Sequence, residues 1–309
     1  MRRFIIDTDA ASDDLVACIL ALRDPGCVVE AITICAGVLD HETANVNGRV
    51  AVEIGKADQP PVYTGMTKPL WRAPMTGENA HGKDGLSDVG LSKTTLPFTP
   101  GHAVDKIIEL ALKYDDLEII TLGPMTNIAM AVMLNLEAMK RVKRIWTMGG
   151  QYRMPNPVTP NAEYNIWVDA ESCDIVLQSG IPVTFVPLDA CYGVAEVTRE
   201  DREKLLSYGT EFGDFIVNAN QKLLQFNIDF YDKDIISQPD PTAVAAALCE
   251  GVVLEQRTCT ARCESKSEPG YGQIVYNFDN KEPHNVTVVT KFDGKKFKDY
   301  LHSTAAQKR

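Results

Sequence analysis

Phe4-Ile5-Ile6-Asp7-Thr8-Asp9-Ala10-Ala11-Ser12-Asp13-Asp14 runs straight into Leu15-Val16-Ala17-Cys18-Ile19-Leu20. An apolar run that ends in acids and turns at once into a second apolar period reads as strand, loop and helix start. Ordinary core does not absorb this many carboxylates. Like charges so close repel, and each carboxyl holds its proton unless a cation or a ring of donors offsets the charge. Oxygen ligands alone suit Ca²⁺ or Mg²⁺ rather than zinc. Asp9 falls on the loop, and Asp13 and Asp14 fall in the first helical turn, where the helix dipole favours them. Ser12 is the expected N-cap.

Working outward, short β-branched runs at 3–6, 28–34, 117–121, 143–148 and 182–187 alternate with helical periods. The helices are expected near 13–23, 41–55, 102–114, 126–135, 169–179, 199–207, 210–226 and 240–249. Such alternation implies right-handed crossovers and an α/β fold with an open, mostly parallel sheet flanked by helices. From about 253 the pattern changes to extra short C-terminal strands, near 273–278 and 285–291, and a last helix near 294–305. Residues 60–100 form the longest irregular stretch, and with no repeat or Gly/Ser linker the chain reads as a single domain, 1–309. In open sheets of this kind ligands bind beyond the carboxyl ends of the strands. Asp7 to Asp14, Ala36-Gly37, Leu122 to Asn127, Gly149-Gly150 and Pro187-Leu188-Asp189 all fall at such ends.

Composition narrows the function. A formal net charge of −11 over 309 residues argues against nucleic acid as a partner, because phosphate binding needs clustered Lys and Arg. No apolar stretch approaches a membrane span. The eight cysteines sit mostly in apolar runs, and Cys259-Thr-Ala-Arg-Cys263 has no second pair at zinc-ligand spacing. Reduced thiols and a strand beginning at the third residue point to a cytoplasmic protein.

The spacing Asp7-x-Asp9-x-x-x-Asp13-Asp14 resembles the signature of the inosine–uridine-preferring nucleoside N-ribohydrolase family. Further segments are similar in the same order. They are His81-Gly82-Lys83-Asp84-Gly85-Leu86, Gly123-Pro124-Met125-Thr126-Asn127-Ile128-Ala129, Met148-Gly149-Gly150 with Asn156, and Glu163-Tyr164-Asn165. Asp169-Ala-Glu171, Pro187-Leu188-Asp189 and Asp240-Pro241 complete a collinear series over about residues 4–245.

The resemblance implies a Rossmann-like nucleoside hydrolase fold and Ca²⁺-dependent cleavage of a ribonucleoside to ribose and free base. It implies a Ca²⁺ ion on Asp9, Asp14, Asp240 and the Thr126 carbonyl, with Asp9 also taking a proton from the attacking water. It places Asp13, Met148, Asn156, Glu163 and Asn165 at the ribose, and suggests a homodimer or homotetramer. In an extended segment Glu163 and Asn165 would project to one side, and Thr126 could also cap the helix it starts. His81, Trp167, Phe230 and Tyr231 are candidates for the base side, with Phe226 a further stacking ring.

Two positions depart from the family pattern. Val38 follows Ala36-Gly37 where an Asn is frequent, so a sugar contact would have to come from elsewhere, with Asn45 and Asn47 as candidates. Pro239 precedes Asp240 where many members have a proton-donating His, which leaves His81, Tyr231, Asp229 and Lys233 to serve the leaving base. These departures sustain an alternative, a ribonucleoside-binding protein with lost or altered hydrolase activity. A haloacid dehalogenase-type phosphatase would use Asp7 as nucleophile, Asp9 as acid/base, Thr121 and Mg²⁺, but leaves Asp13-Asp14 unexplained. An EF-hand-like loop is refused by Ala11 and Ser12.

Overall fold

Strands form where the β-branched runs lie: β1 (Arg2–Thr8), β2 (Cys27–Ile34), β3 (Val62–Thr64), β4 (Leu117–Thr121), β5 (Arg144–Met148) and β6 (Val183–Val186). Downstream come β7 (Glu196–Val197), β8 (Ile236–Ser237), β9 (Val253–Cys263), β10 (Ile274–Asn277) and β11 (Val286–Phe292). The structure, a computed structural model, describes residues 1–55, 59–153, 159–279, 281 and 283–308.

Among the described residues, nine strands make one sheet in the order β10-β9-β11-β6-β5-β4-β1-β2-β3, and β7 and β8 form a separate antiparallel pair. Pairing is parallel from β3 across to β11, and β9 then pairs antiparallel with both β11 and β10 at the far edge. From β1 the chain builds outward to β3, then returns to β4 on the other side and builds the opposite way. The reversal opens a crevice between the carboxyl ends of β1 and β4, where doubly wound sheets hold their ligands.

Side chains alternate across the sheet. Phe4 and Ile6 pack on one face under the helices Ser12–Arg23, His41–Gly55, Glu211–Asn218, Pro239–Leu248 and Gly294–Ala305. Ile5, Ile119 and Ile145 pack on the other, under Ala103–Lys113, Thr126–Leu134 and Ala170–Gln178. Every residue of the helix Ser12–Arg23 is buried, which explains its all-round apolar sequence. No helix among the described residues is long and apolar enough to cross a membrane.

The structure corrects four expectations. The helix expected over 210–226 is two, Glu211–Asn218 and Gln221–Tyr231. Ser87 wedges between them: its Oγ donates to the Ala219 carbonyl and accepts from Lys222 N–H, at 2.8 and 2.9 Å. The stretch 60–100 contains β3 and a short helix, Glu78–His81. The C-terminal region carries an eleven-residue strand, β9, that charged residues at 255, 257 and 262 conceal. Glu163 and Asn165 are not on an extended segment, since Glu163 caps the short helix Tyr164–Val168.

Asn127, fully buried, ties the sheet's carboxyl edge together. Its Nδ2 donates to Asp7 Oδ1 at 2.8 Å and to the Ile34 carbonyl at 3.1 Å, and its Oδ1 accepts from Met66 N–H at 2.8 Å. Removing it takes the partner from Met66 N–H and one donor each from Asp7 and the Ile34 carbonyl, which keep Thr33 Oγ1 and Gly65 N–H, so Asn127→Ala should lower stability by about 1–3 kcal/mol in urea unfolding. A variant as stable as wild type would show that this clamp does not hold the edge together.

Candidate active site

Four acids meet above the β1–β4 crevice, each within 5% of full burial: Asp9, Asp13, Asp14 and Asp240. Oxygens of Asp13, Asp14 and Asp240 lie within 4.8 Å of one another, a grouping able to hold a metal ion. Asp14 is fixed from below, where Thr8 Oγ1 donates to its Oδ1 at 2.5 Å and Ala11 N–H donates to its Oδ2 at 3.2 Å. Asp9 Oδ2 accepts from Val38 N–H at 2.8 Å. A Cβ at Gly37 would stand 1.8 Å from that same oxygen, so only glycine lets the β2 loop come this close. Ala10, between Asp9 and the helix, takes a left-handed φ of 61° that non-glycine residues rarely adopt.

Burial is the first cause of what these acids do to their protons. Asp9, Asp14 and Asp240 are all held above the ordinary carboxyl range by desolvation, and mutual repulsion adds to it. Glu163 is pushed up to about 7 by burial, although backbone amides of Asn165, Gly150 and Ile166 pull the other way. Those amides lie 2.9, 3.1 and 3.3 Å from its carboxylate oxygens. Buried carboxylates of this kind suit a cation, which would replace the protons and relieve the repulsion.

A cavity of about 460 Å³ opens onto this floor. Asp9, Asp13, Asp14, Asp240, Met148, Glu163, Asn165, His81, Trp167 and Phe230 line it, with Phe226, Val38 and Met75. Asn165 Nδ2 donates to the Leu122 carbonyl at 2.7 Å, which leaves its oxygen as the acceptor toward the cavity. His81 Nδ1 lies 3.0 Å from Ser12 Oγ and 3.9 Å from Asp13 Oδ1.

Several residues lie elsewhere. Tyr231 lines a neighbouring cavity of about 150 Å³ with Tyr192 and Lys233, and Lys233 pairs with Glu196. Asp229 accepts from Gln225 on the exposed side of its helix. Asn45 bonds Thr64 and Asn47 bonds the carbonyls of Ala10 and Asp84, so neither side chain lines the cavity. Asp7 belongs to the opposite face of the sheet, where Thr33 and Asn127 bond its carboxylate and burial lifts it to about 7. Asn156 lies outside the described residues.

Two capping expectations fail. Ala11 is the N-cap of the first helix and Met125 that of Thr126–Leu134, and neither makes a side-chain cap. Thr126 Oγ1 instead donates to Asp169 Oδ2 at 2.6 Å, turning its side chain toward Asp169. Its loop still reaches the acids, because a Cβ at Gly123 would lie 3.1 Å from Asp9 Cγ. Asp189, singled out only as part of a strand-end motif, accepts from Tyr152 and Arg153 N–H, both at 2.8 Å, and so anchors the loop after β5.

Residues 4–299 match the model of the family described as inosine-uridine preferring nucleoside hydrolase. The chain belongs to this family. It is 32% identical over 319 residues to the pyrimidine-specific ribonucleoside hydrolase RihA of Shewanella sp. (strain ANA-3), covering 99% of this chain and 96% of that protein. An uncharacterized protein of Schizosaccharomyces pombe, C1683.06c, is 36% identical over 189 residues, 60% of this chain and 61% of its own length. The plant nucleoside hydrolase PpNRh1 superposes with a TM-score of 0.92 at 26% identity over 99% of both chains. A purine-preferring ribonucleoside hydrolase from Gardnerella vaginalis shares the fold, with a TM-score of 0.92 at 24% identity over 99% of this chain and 98% of that one. As a family member, the chain is a ribonucleoside hydrolase.

The raised carboxyls give a stability test. Each binds its proton more tightly in the folded state than in the unfolded one, so its contribution is complete at low pH. That contribution is lost as pH climbs through the raised values, which for Asp7 and Glu163 are about 7. The thermal midpoint of chelator-treated protein should therefore fall between about pH 5 and about pH 8, and added Ca²⁺ should raise it more at the upper end. A midpoint that rises over that range would contradict this assignment of burial.

Proposed function

We propose that this chain hydrolyses the N-glycosidic bond of ribonucleosides to ribose and free base, with Ca²⁺ as its resident ion. The observation that carries the reading is the buried group of Asp9, Asp13, Asp14 and Asp240 at the floor of a cavity whose other walls are largely apolar.

Asp9, Asp14, Asp240 and the Thr126 carbonyl would hold the ion, and an all-oxygen donor set suits Ca²⁺. When bound, Ca²⁺ neutralises the acids and lowers the pKa of a water molecule beside them. Asp9 takes the proton from that water. Its Oδ2 is tethered by Val38 N–H, so the carboxylate is fixed before substrate arrives. Asp13, Glu163 and Asn165 grip the ribose hydroxyls, Met148 packs beneath the sugar, and Asn156 is assigned there by resemblance. Fixed carboxylates also stabilise the positive charge that grows on the sugar as the bond to the base lengthens.

The base leaves toward His81, Trp167, Phe226 and Phe230. Pro239 lines the same wall and carries no proton, so His81 is assigned to serve the leaving base. The position of Asp7 argues against the phosphatase alternative, because a nucleophile there would sit across the sheet from the cavity. Pro239 and Val38 keep one competing reading, nucleoside binding without cleavage.

The test is release of reducing sugar from inosine, uridine, cytidine and adenosine. Wild type should liberate ribose and lose that activity on chelation, and Ca²⁺ should restore it. Asp9→Asn should lower kcat by about 10²–10⁴-fold with the fold intact by circular dichroism. Tight nucleoside binding with no ribose released would leave the binding-only alternative.

A further inference from the structure

We propose that Ser12 is a positioning residue for departure of the base, holding the His81 imidazole through Nδ1 so that Nε2 serves the leaving nitrogen. This rests on the reading above, that the chain cleaves ribonucleosides with His81 on the base side.

Ser12 opens the helix Ser12–Arg23 but does not cap it, since the N-cap is Ala11. Its hydroxyl is fully buried and points instead to His81, at 3.0 Å from Nδ1. His81 belongs to a different part of the chain, the end of the short helix Glu78–His81, where Gly82 takes a φ of 86°. The Ser12 hydroxyl thus joins the acid-bearing floor to the loop that walls the base side. Asp13 Oδ1 lies 3.9 Å from Nδ1, beyond hydrogen-bond reach. Without Ser12 the ring loses its fixed orientation, and Asp13 is the group toward which it would turn.

With Nδ1–H donating to Ser12 Oγ, that proton stays in place and Nε2 is the nitrogen that acts. As the C1′–N bond breaks, its electron pair stays on the base nitrogen, which takes the proton from His81 Nε2. The water oxygen bonds to C1′, and its proton passes to Asp9. Ser12 does not line the cavity. Its effect is confined to the orientation of the ring.

The experiment compares Ser12→Ala, Ser12→Thr, His81→Ala and the Ser12→Ala/His81→Ala double variant on inosine, uridine and 4-nitrophenyl β-D-ribofuranoside. Nitrophenolate departs without a proton, so that substrate bypasses His81. Ser12→Ala should lower kcat on both nucleosides about tenfold with KM changed less than about twofold, and leave the nitrophenyl riboside unaffected. Ser12→Thr, which keeps the hydroxyl, should recover most of the loss. In the His81→Ala background the serine change should cost nothing further. The inference is overturned if Ser12→Ala slows all three substrates alike, if it slows none, or if its effect persists without His81. Should Ser12→Ala not fold, Ser12→Cys, with the same shape and a weaker hydrogen-bonding group, takes its place. If wild type releases ribose from no nucleoside, the proposed function itself fails and takes this inference with it.

Discussion

Repulsion among buried carboxylates is the constraint around which this molecule is arranged. Asp9, Asp13, Asp14 and Asp240 are each nearly inaccessible, and burial is the largest cause that holds three of them above the ordinary carboxyl range. The fold supplies partial compensation. Asp13 and Asp14 lie in the first turn of Ser12–Arg23, and Asp240 in the first turn of Pro239–Leu248. Two helix N-termini, each carrying partial positive charge, therefore converge on one patch of negative charge. Thr8, Ala11 and Val38 add single hydrogen bonds. These donors orient the acids, but do not neutralise them. The remaining charge is what a divalent cation is suited to offset, which is why the same arrangement that strains the fold makes a binding floor.

Holding that floor together demands unusually close approaches of backbone. Gly37 brings the loop after β2 against Asp9, Gly123 brings the loop after β4 against the same residue, and Ala10 accepts a left-handed backbone between them. All three sit where the strand order reverses, the one place in a doubly wound sheet where loops from both halves can meet. The loop after β5 is held by carboxylates as well, with Glu163 taking the Gly150 amide and Asp189 those of Tyr152 and Arg153. The site is thus assembled from loops, each held against a carboxylate that stands just past the end of a strand or at the start of a helix.

This explains which parts were legible in the sequence. The acid run after β1, the strand–helix alternation and the order of the motifs could be read because each is local and dense. Most of the residues assigned to the site on that basis line one cavity. What escaped depends on distant contacts. The break between Glu211–Asn218 and Gln221–Tyr231 carries no Gly or Pro, and is marked by Ser87, more than a hundred residues earlier. β9 hides because an edge-side strand exposes charged residues in place of a clean alternation. Ser12 and Thr126 looked like caps because their residue types and positions fit. Each hydroxyl is spent on a tertiary partner instead, His81 and Asp169 respectively. Local rules identify a capable side chain, but they do not say which competing partner claims it.

The two halves of the cavity obey different constraints. On the floor, one added methyl at Gly37 would collide with Asp9, and Asp14 and Asp9 accept from the loop N–H groups of Ala11 and Val38. The opposite wall comes from the short helix Glu78–His81, the end of Gln221–Tyr231 and the residues near Pro239. Phe230 there is 68% exposed and Met75 45% exposed. Side chains with that much freedom can be exchanged without disturbing the core, whereas none of the floor acids can. Pro239 is compatible with such a division: it occupies N1 of its helix, where a missing N–H costs nothing, and leaves Asp240 in place at the next residue. A change of leaving-group chemistry at that point therefore leaves the acid floor intact. The acid floor is fixed by the fold, and the side chains of the opposite wall are free to vary upon it.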